Sequence, residues 1–470
     1  MNKSRLAQLL TAGAVALLSA CSMIPAYQRP AAPVADAYPA YGSAAPAAGA
    51  TPASAVAWQD FFADARLQRL IELSLINNRD LRVAVLNIEQ ARAQYQIRRA
   101  DQLPTVNGVL SGSRTPAANG GSTTLYSVGL AVTAYELDFF GRVSSLKEVA
   151  LSQYLATEEG RKTAQISLIA AVANSYLSIL ADEELQGITR QTLTTREDSL
   201  KLSKLRFDNG VTSELDFRQA ESLLEAARVA YAQQQRQRAL DENALTLLVG
   251  QPLAGDELPA TAGTQVSLAQ LEPLAPVPAG LPSDLLVNRP DIRQAEQLLL
   301  ASNANIGAAR AAFFPRISLT AGVGSASSEL SGLLKSGSWG FTIAPQLLLP
   351  IFDYGRNNAG LDTARAGRDI AVAQYEKSIQ TAFREVADAL ATRTTLADQL
   401  QSQQAQANAE AVRFKLSDLR YQNGISSYLD LLDAQRSLFA AQQAVVQTRL
   451  AQLQSQVGLY RALGGGWKER

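Results

Sequence analysis

The sequence contains no histidine and a single cysteine among its 470 residues. Without histidine there is no imidazole to act as a general base near neutral pH or to ligate a metal. A Ser-His-Asp relay is therefore excluded, and metal-centred hydrolysis is disfavoured. No glycine-rich loop ending in Gly-Lys-Ser or Gly-Lys-Thr opens a helix, which removes a common cradle for phosphate. Charge of one sign is also missing, since 43 basic residues balance 43 acidic ones. No global field exists to hold nucleic acid, so partners must be chosen by local surfaces. Proline is absent between Pro116 and Pro252 and again after Pro350, leaving long stretches in which nothing interrupts a helix.

At the N-terminus Lys3 and Arg5 precede an apolar run from Leu6 to Leu18, followed by Ser19 and Ala20. The run is too short to span a bilayer, and residues 1–20 read as a secretory signal. The ending Leu18-Ser19-Ala20-Cys21 resembles the lipobox of bacterial lipoproteins. That resemblance implies that Cys21 becomes the first mature residue, carrying S-diacylglycerol and N-palmitoyl groups. Ser22, in place of an aspartate, implies sorting to the outer membrane. No other cofactor and no metal are expected. Pro25 to Ala57 is rich in Ala and Pro and lacks periodicity, so residues 21–66 read as a lipidated tether or surface strap.

The rest of the chain holds two copies of one unit. Leu205, Arg206, Asn209, Gly210, Ser213, Leu215, Asp216 and Ala220 recur as Leu419, Arg420, Asn423, Gly424, Ser427, Leu429, Asp430 and Ala434. Every member of the second set lies 214 positions after its match. Upstream, Asn77, Asp80, Arg82 and Pro104 match Asn288, Asp291, Arg293 and Pro315, and Gly141-Arg142 matches Gly355-Arg356. The organisation that follows is a first repeat over 67–250, a proline-rich connector over 251–282, a second repeat over 283–463 and a tail over 464–470. Gly464-Gly465-Gly466 in that tail reads as flexible.

Each copy reads as helix, strand pair, long helix, tight turn, helix. The stretch from Leu67 to Ala100 is expected as one helix ended by Pro104. From Arg142 to Arg206 one helix would extend about 95 Å at 1.5 Å per residue. Between the helices Ile317, Leu319, Ala321 and Val323 alternate with Ser318, Thr320, Gly322 and Gly324. Tyr126, Val128, Leu130 and Val132 alternate likewise, and Trp339, Phe341 and Ile343 repeat the pattern. Strands with one apolar and one small or polar face fit a membrane barrel, a half-buried soluble sheet being the alternative. Arg114 to Thr124 and Ser325 to Ser338 read as exposed loops joining each pair. Four strands cannot close a membrane barrel, and an open edge in lipid leaves backbone groups unpaired, so the chain must oligomerise. Three copies give twelve strands.

Taken with the lipobox and the duplication, three segments make the chain similar to the outer-membrane factors of the TolC-like class. They are Gly280 through Asp291, Ala308 through Pro315, and Leu459 through Trp467. The closest likeness is to the lipoprotein channels that serve resistance-nodulation-division multidrug pumps. The resemblance implies a mixed α and β fold: a homotrimer with a 12-stranded barrel in the outer membrane and a long α-helical barrel in the periplasm. It also implies a periplasmic membrane-fusion adaptor and an inner-membrane transporter as partners, with no nucleic acid.

In both turns Asn209-Gly210 and Asn423-Gly424 supply a left-handed helix end, and Ser213-x-x-Asp216 and Ser427-x-x-Asp430 have the form of a capping box. These are hairpin tips, and the resemblance implies adaptor docking there. It also implies that Leu429 and Asp433 constrict a closed periplasmic aperture, that Asp430 adds a second carboxylate, and that Arg420 and Tyr421 tie the inner hairpin shut. Asp433 has Gln219 as its counterpart, and no cap requires it. In a trimer its carboxylate becomes a ring that attracts cations and repels itself. The alternatives are a TolC-like channel for protein secretion or metal-ion efflux and, from another class, a lipid-anchored coiled-coil scaffold. Replacing Cys21 by Ser is expected to abolish metabolic palmitate labelling, and persistence of the label would overturn the lipobox reading.

Overall fold

The computed structural model describes residues 22–39, 52–116, 120–253, 267–271, 274–278 and 282–468. Cys21 and the signal segment lie outside them. The helices are α1 (Trp58–Phe61), α2 (Ala65–Asn77), α3 (Arg79–Ala100), α4 (Arg142–Asp208), α5 (Glu214–Val249), α6 (Pro282–Asn288), α7 (Pro290–Ala311), α8 (Arg356–Gln422) and α9 (Tyr428–Ala462). The strands are β1 (Val106–Pro116), β2 (Ser122–Leu137), β3 (Arg316–Ser327) and β4 (Trp339–Leu348). The chain folds as two compact units.

The first unit contains Leu86–Glu159 and Arg293–Lys377 together with the start of the chain, and its centre is one antiparallel sheet in the order β1-β2-β3-β4. Register sorts the side chains onto two faces. Val106, Val132, Ala321 and Ile343 form one rung, and Gly108, Leu130, Val323 and Phe341 the next rung of the same face. The opposite face carries Asn107, Ala131, Gly322 and Thr342, then Val109, Gly129, Gly324 and Gly340. The apolar face is uncovered within the chain, with Leu110, Phe341 and Ile343 exposed by 74%, 79% and 64%. β1 and β4 are both edges.

The strands run further than the change to polar residues implies. Arg114 pairs with Thr124, and Ser325 and Ser327 belong to β3, so the expected loops shorten. Cross-strand pairing continues past the apolar band: Arg114 donates to the Ser122 hydroxyl at 2.9 Å, and Ser325 donates to Ser338 Oγ at 2.7 Å. Polarity marks where the apolar face stops, not where the ladder stops.

The opening segment of the first unit is a strap laid along α7. Asn303 donates to the Pro25 carbonyl at 2.8 Å, Arg310 to the Met23 carbonyl at 3.3 Å, and Tyr27 and Arg29 both reach Glu296. Of the segment read as tether or strap, it is residues 23–29 that make these contacts. Farther along the same segment, in the second unit, Trp58, Phe61 and Phe62 are core residues exposed by no more than 2%.

The second unit contains Pro33–Val85, Gly160–Ile292 and Ser378–Arg470. The single helix expected from Leu67 to Ala100 is two, α2 and α3, broken at Asn78. The Asn78 backbone is extended, its Oδ1 accepts from the Leu81 amide at 2.9 Å, and its Nδ2 donates to the Leu248 carbonyl at 2.9 Å. A side chain that caps one helix and ties down another outweighs a helical propensity that is only neutral. In the second repeat Arg289 separates α6 from α7, and Pro290 opens α7, where its missing N–H costs nothing.

The glycine tail is not flexible. Gly464, Gly465 and Gly466 are buried, Gln165 donates to the Gly466 carbonyl at 3.4 Å, and the Lys162 ammonium sits 4.9 Å from the Trp467 ring centre. The tail needs glycine because it lies against the Tyr460 ring, which a Cβ on Gly465 would strike. That ring cannot swing aside: it stacks on Phe61 at 4.0 Å, and its hydroxyl donates to the Val56 carbonyl at 2.7 Å. Gly465→Ala is therefore expected to cost about 1–3 kcal/mol through overpacking, seen as a lower thermal-unfolding midpoint. An unchanged midpoint would show the tail to be loosely held.

Candidate functional site: the paired helical tips

Two helices of 67 residues, α4 and α8, end in matching turns within the second unit. In the first, Asn209 Nδ2 closes on the Leu205 carbonyl at 2.7 Å, Gly210 has φ +66°, and the Val211 amide donates back to the Arg206 carbonyl at 2.8 Å. In the second, Asn423 Nδ2 meets the Leu419 carbonyl at 2.7 Å, Gly424 has φ +71°, and the Ile425 amide reaches the Arg420 carbonyl at 2.8 Å. Glycine stands where the backbone turns left-handed, which frees the chain to reverse at once.

Helices α5 and α9 then start on Ser213 and Ser427. The Asp430 amide donates to Ser427 Oγ at 3.2 Å, and the Ser427 amide donates to Asp430 Oδ2 at 3.2 Å, a complete capping box. At the first tip the Asp216 amide donates to Ser213 Oγ at 3.2 Å, while Thr212 and Ser213 hydroxyls donate to Asp216 Oδ2 at 2.7 and 2.9 Å. These hydrogen bonds, Thr212 first, hold the Asp216 carboxyl below the ordinary aspartate value against the opposing effect of burial.

The tips pack on each other through Ala220, Tyr428, Leu431 and Leu432, with Leu200, Leu223, Phe414 and Tyr421 half-buried around them. Tyr421 joins the hairpins: the Arg206 guanidinium lies 4.8 Å from its ring centre, and the Tyr428 ring 5.2 Å away. Arg420 is exposed and has no ion-pair partner among the described residues. Leu429 is 54% exposed. It belongs to a set of uncovered apolar side chains that repeats between tips: Leu205, Val211 and Leu215 on one, Leu419, Ile425 and Leu429 on the other.

The two acidic residues expected to act together are held differently. Asp430 is spent on its cap, whereas Asp433 forms an ion pair with Arg413, which also bonds Glu410 at 3.2 Å and Ser437 at 3.4 Å. The Asp433 carboxylate is thus not a bare charge in the isolated chain. Sequence reading named Arg206 only as a repeated residue, without its contact to Tyr421, and missed Arg413. The signal for Arg413 was there: it lies as far before Asn423 as Asp433 lies after it, so an antiparallel hairpin turning at that point brings the two together.

The first unit thus carries an uncovered apolar sheet face with two edge strands, and the second unit carries twin helical tips held by caps, ring contacts and ion pairs. The sequence profile of the family described as "Outer membrane efflux protein" matches residues 70–251 and 281–465. The antibiotic efflux pump outer membrane protein ArpC of Pseudomonas putida is 49% identical over 100% of this chain and 97% of its own length. The solvent efflux pump outer membrane protein SrpC, also of Pseudomonas putida, is 48% identical over 97% of both chains. Among solved structures, the open state of the Neisseria gonorrhoeae MtrE outer membrane channel superposes with a TM-score of 0.86 at 42% identity. It covers 95% of this chain and 99% of that one.

The lowered Asp216 value has a direction in pH. A carboxyl depressed in the folded state contributes its stabilisation above the unfolded aspartate pKa and loses it as pH falls through the folded one. Amide exchange across residues 214–217 is expected to accelerate below about pH 4 in the wild type, after correction for intrinsic rates, and to lose that acid step in Asp216→Asn. An identical acid response in the variant would remove the carboxylate from the cap.

Proposed function

Because the chain belongs to the outer membrane efflux protein family, we propose that it forms the exit duct of a tripartite resistance-nodulation-division pump. It is an efflux protein of the outer membrane, like the relatives it matches along nearly their whole length. In this reading three copies join edge to edge, β4 of one to β1 of the next, and close twelve strands into a barrel. Their helices line a passage through the periplasm. The observation that carries the reading is the sheet, whose apolar face lies bare and whose two edges are free, a state that lipid tolerates only once the barrel is closed. A coiled-coil scaffold has no use for such a face.

The duct performs no chemistry on its cargo. An inner-membrane transporter supplies the energy, and a periplasmic membrane-fusion adaptor joins it to the tips at Asn209, Gly210, Ser213, Asn423, Gly424 and Ser427. The exposed apolar residues beside those turns offer the adaptor contacts that a purely polar tip would lack. ArpC and SrpC are named for antibiotic and solvent efflux, and the cargo here is of the same kind, small toxic organic compounds. The lipid on Cys21 anchors the strap to the inner face of the outer membrane.

The aperture is formed by Leu429, Asp430 and Asp433 repeated threefold, with Arg420 and Tyr421 beside them. Opening requires the hairpins to part, which separates Tyr421 from Arg206 and frees the Asp433 carboxylate if Arg413 turns away. An exposed ion pair contributes little to stability, so a bound partner can displace it.

Planar-bilayer recordings test the duct and the gate together. Purified wild type is expected to give small, mostly closed, cation-preferring events, and the Asp430→Ala/Asp433→Ala variant larger and longer ones. Cells carrying the variant should become sensitive to vancomycin. Unchanged conductance and sensitivity would remove the gate assignment, while a folded protein that never conducts would remove the channel.

A further inference from the structure

Arg196, on α4 in the second unit, is only 5% exposed and has no carboxylate partner among the described residues. One of its nitrogens donates to the Leu223 carbonyl of α5 at 2.8 Å, and its guanidinium carbon lies 5.6 Å from the Phe439 ring centre on α9. Its Nε–H is buried and makes no hydrogen bond. Guanidinium does not lose its proton in proteins, so a full positive charge is held among helices with a carbonyl and a ring beside it but no counter-charge among the described residues. Burial and the like charge of Arg436 both push its pKa down.

Beside Arg196 lies a cavity of about 80 Å³ walled by Phe414, Leu438 and Phe439 and by the amide side chains of Gln435 and Gln442. Gln435 is 8% exposed, and its Oε1 is also buried without a partner. An amide with no fixed partner can present its NH2 group by a half-turn. The space exceeds what one water needs.

We propose that this cavity is a binding site for a small monovalent anion of chloride size, held by Arg196 Nε–H and the amides of Gln435 and Gln442. The anion supplies the missing counter-charge. Because its ligands come from α4 and α9, occupancy favours the packed arrangement of the helices just above the tips, by simple binding linkage. The site does not depend on the channel reading, and its failure would leave that reading untouched.

Crystals of the detergent-solubilised full chain grown in bromide are expected to show an anomalous peak within hydrogen-bonding distance of Arg196 Nε. Wild type is expected to unfold at a higher temperature in chloride than in gluconate at equal ionic strength. That rise should saturate with chloride and vanish in Arg196→Gln. An empty cavity or an ordered water at the bromide position would overturn the proposal, as would a halide effect that survives in Arg196→Gln. Should that variant not fold, the bromide map of the wild type decides alone.

Discussion

Backbone N–H and C=O groups along the outer edges of β1 and β4 have no strand partner among the described residues, and the rest of the molecule follows from that debt. Water can satisfy such groups on a soluble sheet, but hydrocarbon cannot. The rungs Val106-Val132-Ala321-Ile343 and Gly108-Leu130-Val323-Phe341 make one face of this sheet apolar from edge to edge. A sheet with that face belongs in lipid, and in lipid it must close. Four strands are too few to close by themselves, so the unit of folding and the unit of function differ in size. The duplication fits the same constraint: each copy contributes one hairpin, and β2 pairs with β3 to join them.

The long helices and their ends are where the two copies agree best and then diverge. Both tips use asparagine to close the last turn, glycine to reverse and serine to start the next helix. This shared machinery fixes architecture, since a hairpin of helices tens of residues long needs a sharp end more than a particular charge. The divergence is in what surrounds it. Arg413 and Asp433 pair across the second hairpin, whereas the positions 214 earlier hold Ser199 and Gln219, so both partners are missing together. Arg196 in turn has Glu410 as its counterpart, and Glu410 is bonded to Arg413.

Those facts explain what was legible in the sequence. The repeat, the strand alternation, the caps and the length of α4 all arise from local rules of period and propensity, and each could be read from neighbouring residues. What could not be read depends on contacts between distant segments. Asn78 breaks a helix because Leu248, far along the chain, offers a carbonyl. Phe61 and Phe62 look like the end of a tether until Tyr460 is placed against them. Three glycines in a row look loose until the same ring is seen to leave no room for a Cβ. Composition describes a segment, while its partner decides whether it is core.

The same reasoning separates the roles of charge in this chain. Where a carboxylate caps a helix, as Asp430 does, its value is local and both copies keep it, with Asp216 in the matching place. Where a charge appears in one copy only, no requirement of the shared fold put it there. Asp433 and Arg413 form a pair on an exposed surface, cheap to make and cheap to break. Arg196 is the opposite case, a charge buried among helices with no carboxylate beside it among the described residues, costly unless something fills the space at its side. The repeat built the frame with one set of residues used twice, and the departures from the repeat mark the positions at which the two halves stopped doing the same work.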